Sequence, residues 1–472
     1  LGCPPGHRIR EGIFLMEASF TAIWTFIANI NWTTVVIALA SFIPLLLFLV
    51  VVHEWGHFIT AKWFGVKVLE FGVGYPPKAF GFYTGRTRVL VNQNTQFVNV
   101  ADAQALHIGQ FVRVSSEEDQ DGNLVGRIIE VPPTGSRQKG PQSLQELSSD
   151  KYLKHEGKVR EVSGNSVMLA DMLYSVNWTP LGGFVRLAGE SNPAVPRSLA
   201  SKGVGPRAVV LAAGSFMNAI LPLVIFTFLF MIPQDVTVGN VRVTMVVPDS
   251  PAEEAGVQTD DIILQADGRE VDNRGDLIRM ITLSAGSKME WMVERGGRQE
   301  FIRVVPRPNP PEGQGATGIA IELVNSRVET LWDPPWTAAY RSVTDTWELL
   351  VLLKREVSSW FSSGKAPALS GPIGIAQITG EVTQHGGFRG WLVLAILFSI
   401  NLAILNILPI PMLDGGRLLF VAIEWVRGGK RVPPEKENLV HLIGFVVLIG
   451  LILWISAIDI GRILDGRSLL GG

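Results

Sequence analysis

Five consecutive residues, His53-Glu54-Trp55-Gly56-His57, carry the strongest chemical signal in the chain. On a helix, residues i and i+4 share a face, so these two imidazoles can grip one metal ion. Glu54, beside the first of them, can act as a base on a water held at that ion. The chemistry such a set performs is metal-assisted hydrolysis. The residues ahead of it, Ala38 to Val52, are almost continuously apolar. Ending such a run with two imidazoles and a carboxylate is costly unless they pair or coordinate. The bland alternative is a helix emerging from lipid whose polar end merely begins at His53.

A zinc ion needs a third protein ligand and one open position. The best candidate is Asp414, in Asn406-Ile407-Leu408-Pro409-Ile410-Pro411-Met412-Leu413-Asp414-Gly415-Gly416. From Trp391 onward the sequence before Asp414 is apolar apart from Ser399, Asn401 and Asn406. Pro409 and Pro411 must break a regular helix there. Broken backbone at membrane depth is tolerated only where it is buried in protein or lines a cavity. A cavity at that point is what hydrolysis needs. The plainer role for Asp414 is to cap a helix starting near Gly416. His107, His155, His385 and His441 have no partner at ligand spacing and read as surface or local structural residues.

The elements that must position these groups are set by hydropathy. The chain has 472 residues, 47% of them hydrophobic and 18% charged, with formal net charge -2. No basic stripe marks a nucleic-acid binder. The single cysteine, Cys3, excludes both an internal disulfide and a cysteine metal cluster. Four segments are long enough to cross a bilayer: 32–64, 207–232, 391–416 and 439–460. Residues 1–31 read as a lead-in, with Met16 a candidate start and Ala18 to Ile30 a weaker apolar run. Lys62, Lys67 and Arg207 flank the first two spans, and Arg417, Arg427, Lys430, Arg431 and Lys436 lie between the last two. The positive-inside rule places these regions in the cytoplasm. Both termini (the tail is 461–472) and the region between spans two and three then lie outside.

Between the first two spans, 65–86 and 172–206 read as strand-and-turn sequence around a β-rich insert, 87–171. Phe111 to Val114, Leu124 to Ile129 and Val159 to Val162 read as its strands, and Pro132 to Gln142 as a loop. In the outer region, Val243 to Val247 reads as a strand, Ser250 to Gly256 as a short glycine-ended helix and Asp276 to Leu283 as a helix. Met289 to Glu294 and Glu300 to Val305 read as further strands. Over 236–307 that order resembles a single PDZ domain, which implies capture of an extended peptide or new C-terminus, with Val241 to Val246 as the expected groove edge. Residues 328–390 read as an interfacial helix with Trp332, Trp336, Trp347 and Trp360, followed by a non-helical loop, Ser370 to Ile375.

Taken together, these residues resemble the site-2 protease family, in its bacterial PDZ-containing branch. The family's zinc helix falls on His53 to Phe58, and its Asn-x-x-Pro-x-Pro-x-Leu-Asp-Gly motif on Asn406, Pro409, Pro411, Leu413, Asp414 and Gly415. The two motifs stand about 350 residues apart, each on its own span. The resemblance implies a polytopic α-helical membrane protein with about four spans, a membrane-associated β-hairpin and one catalytic Zn2+. Phe71 to Gly74 and Pro180 to Val185 resemble the sides of that hairpin, whose halves, 65–86 and 172–206, are here separated by about eighty residues. Gly214 and Asn218 resemble a Gly-x-x-x-Asn element of the second helix. By resemblance, Asn218, Asn406, Gly182 and Gly183 bind substrate backbone. Substrates are then single-span membrane proteins, such as anti-sigma-factor-like regulators or signal-peptide remnants, cut in a bacterial cell membrane. Two other classes remain: a transporter, since broken helices and intramembrane charge occur there too, and a non-catalytic PDZ scaffold.

Overall fold

The computed structural model describes residues 32–133, 151–311, 313–363 and 370–464. The lead-in 1–31 with Met16, the end of the tail, and most of the loop expected at 132–142 lie outside the described residues. Two compact units are present: residues 1–221 with 370–472, and residues 222–369.

In the first unit, the apolar run forms one helix, α1 (Trp32–Trp63), ending on Lys62 in its last turn. After Gly65 (φ +65°) the chain enters β1 (Val68–Thr84). Its partner is β8 (Met172–Leu187), antiparallel. Between them run β2 (Thr87–Leu90), β3 (Gln96–Val98), β4 (Phe111–Glu118), β5 (Leu124–Glu130), β6 (Leu153–Ser163) and β7 (Ser166–Ala170). The two long strands pair twice. Phe71 faces both Val185 and Tyr174, while Tyr174 also faces Phe82. Each strand therefore folds back, giving four segments in the order 183–187, 68–73, 172–176 and 80–84. Pro76, Pro77 and Pro180 stand at the bends, where they withhold N–H groups from the ladder. The two hairpin halves thus pair along their length despite the insert between them.

The insert is a six-stranded sheet in the order β2-β7-β6-β4-β5-β3, closed on itself by a β2–β5 pairing. Strand β6 alternates as a half-buried strand must: Leu153, His155, Gly157 and Val159 are buried, Lys154, Glu156, Lys158 and Arg160 exposed. At the insert's root, buried Asp171 accepts from His155 Nδ1, Thr87 Oγ1 and Lys67 Nζ, each at 2.7 Å. His155 Nε2 lies 2.9 Å from Ser116 Oγ. This network ties three insert strands to the residue that leads out of α1. Helix α2 (Val204–Met231) follows.

The second unit holds β9 (Gln234–Val246), α3 (Pro251–Glu254), β10 (Ile262–Ala266), β11 (Arg269–Glu270), α4 (Arg274–Leu283), β12 (Met289–Arg295), β13 (Arg298–Val304) and β14 (Ile319–Leu331). Their sheet runs β13-β12-β10-β9-β14 over a core that includes Trp291, Ile263 and Leu277. Two expectations are corrected here. The module does not end at residue 307, because β14 returns to pair with β9 from Val246 to Gln234. Nor is Val241 to Val246 an open groove edge, because β9 carries β10 on one side and β14 on the other. Among the described residues β14 pairs only with β9 and so forms one edge of the sheet, β13 being the other, with Ile319, Ile321 and Leu323 against the core that α4 helps to form.

Thr330 and Leu331, expected to open a helix running to Val357, belong to that strand; the helix is α5 (Pro335–Ser363). Its start is tied to the end of α2 by a hydrogen bond from Asp333 N–H to Phe230 O, 2.8 Å. Trp336, Tyr340, Val343 and Trp347 form an exposed stripe at helical spacing. On the other face, Glu348 and Asp345 meet Arg279 of α4, and Glu348 also meets Arg269.

The first unit resumes with α6 (Pro372–Ile407), α7 (Asp414–Val426) and α8 (Pro434–Leu464). The expected loop at Ser370 to Ile375 is already helical from Pro372, and the third span is one long helix interrupted at Gly387 (φ 57°). Gly371 offers no side chain to cap α6. Asp459 of α8 does so instead, accepting from Gly371 N–H at 2.8 Å and Gly374 N–H at 2.9 Å. Among the described residues, helices α1, α2, α6 and α8 are the four long and apolar enough to cross a membrane.

Candidate metal centre

Two bare backbone positions let α1 and α2 touch. A Cβ on Gly56 would lie 2.3 Å from Ala213 O, and one on Gly214 would lie 2.5 Å from Nε2 of both His53 and His57. Only glycine fits such an approach. Packed this way, α2 supplies a second layer of contacts to the imidazoles. His57 Nδ1 lies 2.8 Å from Val210 O, so it carries the ring proton and donates it there. His57 Nε2 is left with its lone pair free. Behind His53, the side-chain amide of Asn218 lies 3.3 Å from Nδ1. Asn218 is fully buried, and its Oδ1 has no partner among the described residues. The two ends of an amide are isosteric. Turned over, this one accepts the Nδ1 proton of His53 and satisfies that oxygen.

Both Nε2 atoms face one point, and Asp414 reaches it from the first turn of α7. Its Oδ2 lies 2.9 Å from His53 Nε2 and 3.2 Å from His57 Nε2, while the two nitrogens are 3.2 Å apart. Among the described residues, His53, His57 and Asp414 are the three whose ligand atoms gather within 4.8 Å of one another. Two imidazole nitrogens and a carboxylate oxygen, each imidazole fixed through its other nitrogen, make a donor set that suits zinc.

Glu54 sits between this point and the hairpin. A Cβ on Gly183 would lie 3.8 Å from Glu54 Cγ, and Gly182 (φ +111°) turns the strand under the Tyr75 ring. The segment Gly183 to Leu187 is the outermost of the four hairpin segments, and it begins at the residue beside Glu54.

The substrate-binding expectations divide. Gly183 stands beside Glu54, whereas Gly182 lies against the Tyr75 ring. Asn218 is buried behind His53, with its side-chain amide 3.3 Å from that ring's Nδ1. Asn406 lies half-buried in the last turn of α6, and its side chain has no partner among the described residues. Sequence reasoning missed Val210, whose role rests on a main-chain oxygen that no residue type announces.

Comparison with known proteins agrees with this geometry. The sequence profile described as Peptidase family M50 matches residues 41–122 and 159–451, so it leaves out only 123–158 within the insert. The zinc metalloprotease RasP of Oceanobacillus iheyensis is 32% identical over 91% of this chain and 99% of its own length. The regulator of sigma-W protease RasP of Bacillus subtilis is 30% identical over 88% of this chain and 96% of its own length. The probable protease eep of Enterococcus faecalis is 28% identical over 88% and 97%. Among solved structures, the PDZ domain of an SdrC-like protein from Listeria monocytogenes aligns at 22% identity, covering 17% of this chain and 85% of that one, with a TM-score of 0.16. The chain belongs to peptidase family M50, the site-2 proteases, and is a membrane zinc metalloprotease.

Proposed function

We propose that His53, His57 and Asp414 hold the zinc ion, and that the protein cuts peptide bonds in or near the membrane segments of single-span proteins. One observation carries this reading: three ligand atoms from residues 361 and 357 positions apart meet at one buried point between apolar helices. Zinc there supplies Lewis acidity for a carbonyl and acidifies a water. Glu54 takes the proton from the attacking water and returns it to the leaving nitrogen.

A helical substrate pairs its own carbonyls and must unwind before it can be cut. The free edge at Gly183 to Leu187 offers strand pairing to the unwound segment, beside Glu54. The outer sheet module, taken as a PDZ domain, offers the open edge of β14 to a chain end left by an earlier cut. Sidedness follows from positive charge: the insert and the α7–α8 connection in the cytoplasm, the outer module and both termini outside. Anti-sigma-factor-like regulators and signal-peptide remnants are the substrate classes that fit.

The test is cleavage of a panel of single-span proteins in detergent by the wild type and by Glu54→Gln. Cleavage falls by about 10²–10⁴-fold in the variant while bound zinc stays at one equivalent. Cleavage that persists at the wild-type rate removes Glu54 from the reaction. No cleavage by the wild type of any single-span protein, with soluble proteins cut instead, overturns the substrate class.

A further inference from the structure

We infer that His441 of α8 is a positioning residue, which holds the turn that aims Asp414 at the metal centre. The inference rests on the reading of Asp414 as a zinc ligand.

The turn between α6 and α7 is poor in backbone donors. Pro409 and Pro411 have no N–H, so the residues between Leu408 and Asp414 that can donate are Ile410, Met412 and Leu413. Ile410 N–H bonds Leu408 O at 2.7 Å, and Leu413 N–H bonds Ile410 O at 3.2 Å. Met412 N–H goes outside the turn, to His441 Nδ1 at 2.9 Å. That donor belongs to the least comfortable residue of the turn. Met412 has φ +80°, the left-handed region that a side chain with a Cβ disfavours. Two residues later stands Asp414.

Nothing within the turn satisfies Met412, so the strained conformation is held from α8. One helical turn beyond His441, Gly444 presents bare backbone: a Cβ there would lie 2.3 Å from Pro411 Cβ. The ring of Phe420 on α7 packs 5.7 Å from that of His441. Histidine and glycine thus share the face of α8 on which the turn rests. A backbone N–H can only donate, so His441 Nδ1 accepts and the ring proton sits on Nε2. An acceptor in that position, not a charge, is what the turn requires.

Removing a partner that orients a metal ligand weakens metal binding by about 10–100-fold. The experiment is zinc affinity of the full chain in detergent, by competition with a chromophoric chelator, for the wild type, His441→Leu, His441→Asn, His441→Gln and the pair His441→Leu with Met412→Gly. His53→Ala is the reference for a lost ligand. The Leu variant binds zinc about 10–100-fold more weakly. Asn places its oxygen where Nδ1 was and keeps most of the affinity, whereas Gln places it near Nε2 and does not. Glycine takes φ +80° without penalty, so Met412→Gly restores zinc affinity in the Leu background. Wild-type affinity in His441→Leu overturns the inference. Should the Leu variant fail to fold, equal affinities of the Asn and Gln variants overturn it instead. Wild-type affinity in His53→Ala would sink the metal-site reading itself. Loss in His53→Ala with none in His441→Leu sinks the positioning role alone.

Discussion

Gly214 stands where any side chain would strike His57: a Cβ built on it lies 2.5 Å from the Nε2 that faces the shared metal point. The imidazole cannot swing clear, because its Nδ1 is bonded to Val210 O at 2.8 Å. His53 is met at the same distance and is backed by Asn218. The glycine therefore fixes how closely α2 can approach the two ligands.

Gly214→Ala is accordingly expected to lose zinc while the rest of the chain stays folded. Overpacking of this kind costs about 1–3 kcal/mol, and here the strain falls on both rings at once. Metal content of the purified protein checks it, dropping from one equivalent to a small fraction. Gly205→Ala, on the same helix and with no described residue within 4 Å of its Cβ, serves as the control. Full zinc content in Gly214→Ala would show that the helices can part without cost.

Much of this arrangement was legible in the sequence, for identifiable reasons. The four spans follow from hydropathy, which is a local property. His53, Glu54 and His57 follow from helical periodicity, and Asp414 from the prolines that end α6 before it. What escaped depends on partners chosen in three dimensions. Nothing in β9 announces that β14 will cover one of its edges, since the second partner arrives about seventy residues later. The approach of the Asn218 amide to His53 depends on how α2 packs against α1, which the sequence does not announce. His441 looked isolated because its partner is a backbone N–H, which carries no residue identity. The insert's strands were readable from alternation in β6, whereas the doubled pairing of β1 with β8 was not.

The insert carries a prediction about acid. Burial alone would raise the carboxyl of Asp171, but the hydrogen bond from His155 and the charge of Lys67 outweigh it and hold the group at about 2 against an ordinary 3.8. The folded value is depressed, so the stabilisation is fully present above pH 4 and is lost as pH falls through 2. It amounts to about 2 kcal/mol. Pepsin cleavage within residues 87–171 should rise steeply between pH 4 and pH 2. Asp171→Asn should be more readily cut at pH 4 and show a flatter rise below it. Identical profiles for the two proteins would mean that the network does not hold the insert together.

Asp459 makes a separate prediction about the start of α6. Its Oδ2 caps two N–H groups, and its buried Oδ1 has no partner among the described residues. Losing a cap of this kind costs about 1 kcal/mol, and more when the N–H groups are left buried and unpaired. Asp459→Ala should speed amide hydrogen exchange at Gly371 and Gly374, with exchange in the insert unchanged. Asp459→Asn, which keeps one acceptor oxygen, should fall between. Exchange in the Ala variant no faster than in the wild type would mean that water or another group already caps the helix.

The last prediction concerns what the edge at Gly183 to Leu187 asks of a substrate. On the reading proposed above, a segment must leave its helix before it can pair with that edge and reach Glu54. The cost of unwinding then enters the cleavage rate. Proline disfavours a helix interior by about 3 kcal/mol relative to good helix formers. Replacing a proline near the cut by leucine should therefore slow cleavage, with a ceiling on the order of 100-fold. Gly→Leu at the same place should slow it less, because glycine weakens a helix by only about 1 kcal/mol. The series is read as initial rates on single-span substrates that differ at that one residue. Graded slowing, Pro→Leu more than Gly→Leu, supports unwinding followed by strand addition. Equal rates across the series would mean that the bond is cut in an already extended stretch, and the free edge would then have no part in selecting it.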